Sequence, residues 1–188
     1  MVVSLGPKQG TSRSIPKNPR SDGTGANPRC LRRDINRNAA MGATADRALN
    51  LLVNSTDINS FYNTLLGTPP PKNDPYPWGI HTAGHYIHAV DPGGDPNTSP
   101  GDPVFYFHHG AVDRLWWLWQ MQDPENRVNA YVTLGMPGHG GHGRRQRVQP
   151  VPETMMMDLA WLGGPIKLLE DGHDQLGGMG GAFCYIYV

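Results

Sequence analysis

The sequence is poor in several features that stabilise or address small proteins. It holds two cysteines in 188 residues, Cys30 and Cys184, too few for a disulfide scaffold and in no C-x-x-C arrangement; at most they close one very long loop, and spacing leaves their pairing open. Net charge is absent, with 16 basic against 16 acidic side chains, which speaks against binding nucleic acid through bulk electrostatics. No apolar run approaches the roughly 20 residues that span a bilayer, so no transmembrane helix is expected. Residues 1–10 have no basic stretch followed by an apolar one, so no secretory signal is expected in the chain as written and localisation stays open. The sequons at Asn54 and Asn97 would accept glycans only in a secreted protein. Phosphate loops, a Gly-x-Ser-x-Gly elbow and a cysteine beside a histidine are all missing, and residues 1–80 contain no histidine, which removes phosphoryl transfer and the common hydrolytic nucleophiles from consideration.

What is abundant is turn-forming sequence: 24 glycines and 18 prolines, well above average usage, commit long stretches to loops. Charge is unevenly spread, with eight basic and two acidic residues up to position 40 and eight and fourteen after it. The basic run around Arg29, Arg32 and Arg33 has no interleaved aromatics and is interrupted by Asp34, the pattern of a solvated or packing face rather than a nucleic-acid grip. The chain therefore reads as an irregular basic segment over 1–43, a helical region over 44–122 and a loop-rich segment over 123–188.

Within the helical region, residues 44–54 read as a helix with Thr44 as N-cap and Asp46 near its positive end. A second helix is expected over 57–66, capped by Ser55 or Thr56, with Ile58, Phe61 and Leu65 on one face, Gly67 in the left-handed terminal position and Pro69, Pro70 and Pro71 beyond it. The clearest helix follows Asp102 as cap and Pro103 at the favoured first position; Phe105, His109, Val112, Trp116 and Trp119 form its stripe. The alternating, aromatic end over 183–188 predicts a short strand.

Five of the eight histidines, His81, His85, His88, His108 and His109, fall within 29 residues. His81 and His85, four apart, share one face of a helix, the separation that one metal ion bridges. His109 is the natural third ligand, because Asp113 four residues on can orient it as a carboxylate behind the ligand. Imidazole ligation suits copper, zinc, iron or nickel and excludes magnesium and calcium. His88 reads as flanking, His139 and His142 as solvent-exposed among glycines, and His173 as uninformative. Met155, Met156 and Met157 do not share a helical face and read as packing residues rather than a soft copper site.

At these residues a resemblance enters. His81-x-x-x-His85, followed by Ser99-Pro100-Gly101-Asp102-Pro103-Val104-Phe105-Tyr106-Phe107-His108-His109 and Asp113-Arg114-Leu115-Trp116 through Gln120, closely resembles the second copper-binding half of tyrosinases and catechol oxidases. The stretch from Asn27 to Asp34 and the closing Tyr185-Ile186-Tyr187 resemble the fungal branch, so the likeness runs almost end to end. It implies a mainly α fold, part of a four-helix bundle with long irregular loops. It implies that His81, His85 and His109 hold copper, that His108 stands next to the ligands, and that Asp113 is a structural carboxylate. In that family two coppers, each held by three histidines, use dioxygen to oxidise phenols or catechols to quinones.

The first copper's histidines lie upstream in the family, where this chain has none, so a truncated member binding one copper per chain is expected, inactive alone because one copper supplies one electron. Thr82 stands where many monophenol-hydroxylating relatives have Asn, with Lys72 and Asn73 where they have an upstream Glu, which favours catechol as substrate. Ala89-Val90 replaces the family's Gly-Gly, so the loop there is expected to be rearranged. The rival expectation is a non-catalytic module for a single copper or zinc, or a fragment completed by a partner; an uncovered face carrying Trp116, Trp117 and Trp119 would invite self-association.

Overall fold

The structure, a computed structural model, describes residues 20–22, 25, 26, 28, 30, 31, 33, 35–67, 75–88, 92–95, 98–131, 156–158, 165–167 and 185–188. The architecture is mainly α: α1 (Arg37–Ala40), α2 (Ala45–Asn54), α3 (Ile58–Leu66), α4 (Ile80–Ile87), a 3-10 turn (Ser99–Gly101), α5 (Val104–Gln120) and α6 (Pro124–Arg127), then β1 (Met156–Asp158) and β2 (Pro165–Lys167). The two strands pair antiparallel with Met157 opposite Ile166. The chain divides into two compact units, residues 1–48 with 65–112 and residues 49–64 with 113–188, and α2, α3 and α5 contribute to both.

In the first unit each turn toward the site is set by a local cap. Asn36 accepts from the amides of Asn38 and Ala39 and starts α1, a short helix inside the segment expected to be irregular; four residues are too few to show a hydrophobic period. The Asn36 amide donates to the Ile87 carbonyl at 2.8 Å, tying α1 to the end of α4. Gly42 is needed there, since a Cβ would stand 2.8 Å from that of Ala83 and 2.9 Å from the Trp78 carbonyl. The carbonyl of Leu66 at the end of α3 receives the Gly79 amide at 3.2 Å and the Thr82 hydroxyl at 2.8 Å. Gly67 makes this turn with φ of 75°, the left-handed conformation that favours glycine.

Asp102 caps α5 by accepting from the Val104 amide at 2.9 Å, as expected of an aspartate before Pro103. Its carboxylate also takes a two-pronged bond from Arg33, at 2.7 and 3.0 Å. The carboxylate is fully buried and the guanidinium mostly so, and this bond holds the Asp102 carboxyl below the ordinary carboxylate range.

The second unit is organised by burial. Leu51, Ile58, Phe61 and Trp119 form its core, with the Phe61 and Trp119 rings 4.9 Å apart and the Trp119 indole donating to the Ser55 carbonyl at 2.8 Å. The Arg127 guanidinium lies 4.5 Å over the Trp119 ring. Thr44 caps α2, accepting from Arg47, whereas α3 is capped by Asp57, which accepts from the amides of Asn59 and Ser60 in place of the expected Ser55 or Thr56. A carboxylate next to three unpaired amides is the stronger acceptor, and Ser55 is itself buried.

Two expectations are corrected. Residues 185–188 have no regular secondary structure; their alternation instead sends the hydroxyls of Tyr185 and Tyr187 to the Asp113 carboxylate. Of the three tryptophans expected on an uncovered face, Trp119 is not uncovered, while Trp116 and Trp117 are half-buried. Trp119 is fully buried, and the exposed large apolar residues of α5 are Tyr106 and Phe107, 64% and 80% accessible.

Candidate metal centre

Four imidazoles converge in the first unit, His81 and His85 from α4 and His108 and His109 from α5. The His81 and His85 rings are 4.9 Å apart, as the four-residue spacing predicts, and the His109 ring lies 5.3 and 5.0 Å from them. His81 Nε2 and His109 Nε2 approach to 3.3 Å. Two nitrogens at that separation can both bind one ion at about 2.0–2.1 Å in a tetrahedral arrangement. One donor atom from each of His81, His85 and His108 also lies within 4.8 Å of the others.

The outward nitrogens explain which lone pairs are available. His109 Nδ1 donates to the Phe105 carbonyl at 2.8 Å, one turn back on its own helix, which leaves Nε2 to face His81. His85 Nδ1 faces the Gly93 carbonyl at a longer 3.4 Å. Such backbone acceptors fix the tautomer and ring direction of a metal-binding histidine. His108 is arranged the other way: its Nε2 donates to the His81 carbonyl at 2.9 Å, so it can ligate only through Nδ1. Its ring lies flat on Gly84, where a Cβ would collide with the imidazole. Burial pushes the His108 pKa down to about 4 against the opposing pull of the His81 carbonyl, so at neutral pH it is an uncharged imidazole. Neutral nitrogen donors at this spacing fit copper or zinc.

Of the other residues singled out in the sequence, Asp113 accepts from Tyr185 and Tyr187 in the second unit. His88 is buried, while His139, His142, His173, Cys184 and Asn97 lie outside the described residues. Cys30 is a free, exposed thiol. Arg33, Gly84 and Gly93 are missed by motif reading. Gly84 had a signal, the glycine directly before His85, but Arg33 and Gly93 meet their partners only through the fold.

A sequence profile described as the common central domain of tyrosinase matches residues 2–122. The tyrosinase-like protein orsC of Emericella nidulans is 47% identical over 118 residues, covering 62% of this chain and 28% of that protein. Oxidase hkm6 of Aspergillus hancockii is 33% identical over 166 residues, covering 85% of this chain and 53% of its own length. Among solved structures, a point mutant of polyphenol oxidase from Thermothelomyces thermophila matches with a TM-score of 0.70 and 26% identity, over 99% of this chain and 48% of that one. The chain thus spans about a quarter to a half of the length of these relatives.

Proposed function

Because the chain belongs to the tyrosinase family, we propose that it carries the second copper site of an oxidoreductase that converts phenols or catechols to quinones with dioxygen, with His81, His85 and His109 as the ligands. The observation that carries this reading is the His81 Nε2 to His109 Nε2 approach of 3.3 Å, with His109 Nδ1 bonded away to the Phe105 carbonyl. Copper held there supplies one-electron redox chemistry to dioxygen and a phenolic substrate. The chain's own residues fix the rings and set how far the site is shielded from water.

Substrate class follows from Thr82. Its hydroxyl proton is committed to the Leu66 carbonyl at 2.8 Å, so it is not offered to a water that would take the proton of a monophenol. This favours catechols, which ionise and oxidise more readily. A second three-histidine set is required for two-electron chemistry, and residues 1–80 contain no histidine; on this reading the set comes from residues outside this sequence or from a partner. The exposed stripe Tyr106, Phe107, Gly110, Ala111 on α5 suits such a complement, since beside Gly110 there is open space into which a helix can approach closely.

A non-catalytic single-metal module is the second reading, favoured by His108, which offers a donor atom within 4.8 Å of those of His81 and His85. Metal content per chain and oxygen uptake on a catechol separate the two. One copper per chain, lost in His109→Ala and retained in His108→Ala, supports the three-ligand copper site. Preference for zinc, with both variants losing metal, supports the module. Oxygen uptake by the isolated chain would mean that a second ligand set is present after all.

A further inference from the structure

Among the described residues between α4 and α5, Gly93 comes back to the site. Pro92 and Gly93 are buried, and the Gly93 carbonyl faces His85 Nδ1. The same glycine lies under the His88 ring: a Cβ on Gly93 would stand 2.6 Å from His88 Cδ2, 3.2 Å from Nε2 and 3.2 Å from the His88 carbonyl. His88, 6% exposed, directly follows α4, its amide bonded to the Tyr86 carbonyl. The buried Asp102 attracts its charged form, whereas burial and Arg33 disfavour that form, burial most of all. His88 is therefore packed as an uncharged plate between the end of α4 and the buried glycine.

We propose that Gly93 and His88 are positioning residues for His85, the His88 ring forming the wall that holds the Gly93 carbonyl against His85 Nδ1, so that His85 Nε2 is presented to the metal. The inference rests on the reading of His85 as a ligand. An imidazole donates through one nitrogen and ligates through the other, so an acceptor at Nδ1 selects the tautomer whose lone pair is on Nε2. A glycine carbonyl has no side chain to anchor it and is only as fixed as the surface its backbone lies on. The close approach of the His88 ring supplies that surface, and it is also why position 93 admits no Cβ. Were Gly93 present for packing alone, replacing it would lower stability and leave the metal spectrum unchanged.

The test uses the full chain loaded with less than one equivalent of Cu(II), read by electron paramagnetic resonance and by competition with a chelator. Gly93→Ala is expected to weaken copper binding by about tenfold or more and to shift the copper spectrum toward that of His85→Ala, with the far-ultraviolet circular dichroism retained. Because the new methyl group acts through the His88 ring, His88→Ala combined with Gly93→Ala should weaken binding no more than His88→Ala alone, a non-additivity expected of residues in contact. Wild-type affinity and spectrum in Gly93→Ala would overturn the inference by itself. An unchanged spectrum in His85→Ala would overturn the ligand assignment and the inference together. If Gly93→Ala loses its helical signal, His88→Ala carries the test: a shifted copper spectrum supports the positioning role, and an unshifted one refutes it.

Discussion

The two halves of α5 are built on different physics. Its first half is held by directional polar bonds: Asp102 caps it and pairs with Arg33, His108 is tied to the His81 carbonyl, and His109 to that of Phe105. Yet this half leaves Tyr106 and Phe107 largely in solvent. The second half ends in Trp119 and Gln120, both essentially inaccessible, with Trp119 against Phe61. One helix thus joins a stretch arranged for chemistry to a stretch arranged for stability, and substitutions in the two should fail in different ways.

The largest effect is expected at Trp119. Trp119→Ala removes a fully buried ring and its bond to Ser55 and should cost about 3–5 kcal/mol, measured as a lowered urea midpoint. Copper bound per folded chain should stay the same. His109→Ala should reverse the pattern, lowering copper affinity by roughly 100-fold while moving the urea midpoint little, because a half-buried ring in a partly open site contributes little packing. Loss of copper in Trp119→Ala under folding conditions, or a large loss of stability in His109→Ala, would break the division between the halves.

Acid tests the polar half. Asp102 titrates below the ordinary carboxylate value, chiefly through its hydrogen bond from Arg33. The folded state therefore binds this proton less readily than the unfolded one. The stabilisation is complete above the unfolded carboxylate pKa of about 4 and is lost as pH falls through the lower, folded value. Asp102→Asn keeps a capping side chain but not the charge. At neutral pH it should be less stable than the parent by about 1–3 kcal/mol, and the gap should close as pH falls below about 4. A gap that does not change between pH 7 and pH 3 would show that the pair contributes by shape rather than charge.

How much of this was legible in the sequence follows the range of each interaction. Caps and stops were readable because they are local: Thr44, Asp102 with Pro103, and Gly67 all do what their position predicts. The four-residue spacing of His81 and His85 was readable for the same reason. So was the stripe from Phe105 to Trp119, whose opposite face, Tyr106, Phe107, Gly110 and Ala111, is the exposed one. Adjacent positions such as His108 and His109 cannot be ranked as ligands by helical period alone. The family resemblance ranks them, and their rings are tethered in opposite senses, His108 through Nε2 and His109 through Nδ1. What sequence could not show depends on distant partners: Arg33 reaches Asp102 across 69 positions, and Trp119 is covered through Phe61 and a carbonyl 64 positions away. Trp119 looked uncovered only because nothing local covers it.

The smallest expected effects come from the two tyrosines, which separate burial from hydrogen bonding at a single carboxylate. Tyr185 and Tyr187 both donate to the same oxygen of Asp113, but Tyr187 is the less exposed, lies 5.8 Å from the Trp117 ring, and has its pKa pushed up to about 12 by burial and the neighbouring carboxylate. Tyr185 is 40% exposed, so water replaces its hydroxyl at little cost. Tyr187→Phe should therefore lower stability by about 1–2 kcal/mol and Tyr185→Phe by about 0.5 kcal/mol. Equal costs would mean that the carboxylate, rather than the surroundings of each ring, sets the strength of the bond. Both variants should bind copper as the parent does. A fall in copper affinity in Tyr187→Phe would show instead that Asp113 passes the loss along α5 to His109, four residues before it, and that the two halves of the helix are coupled.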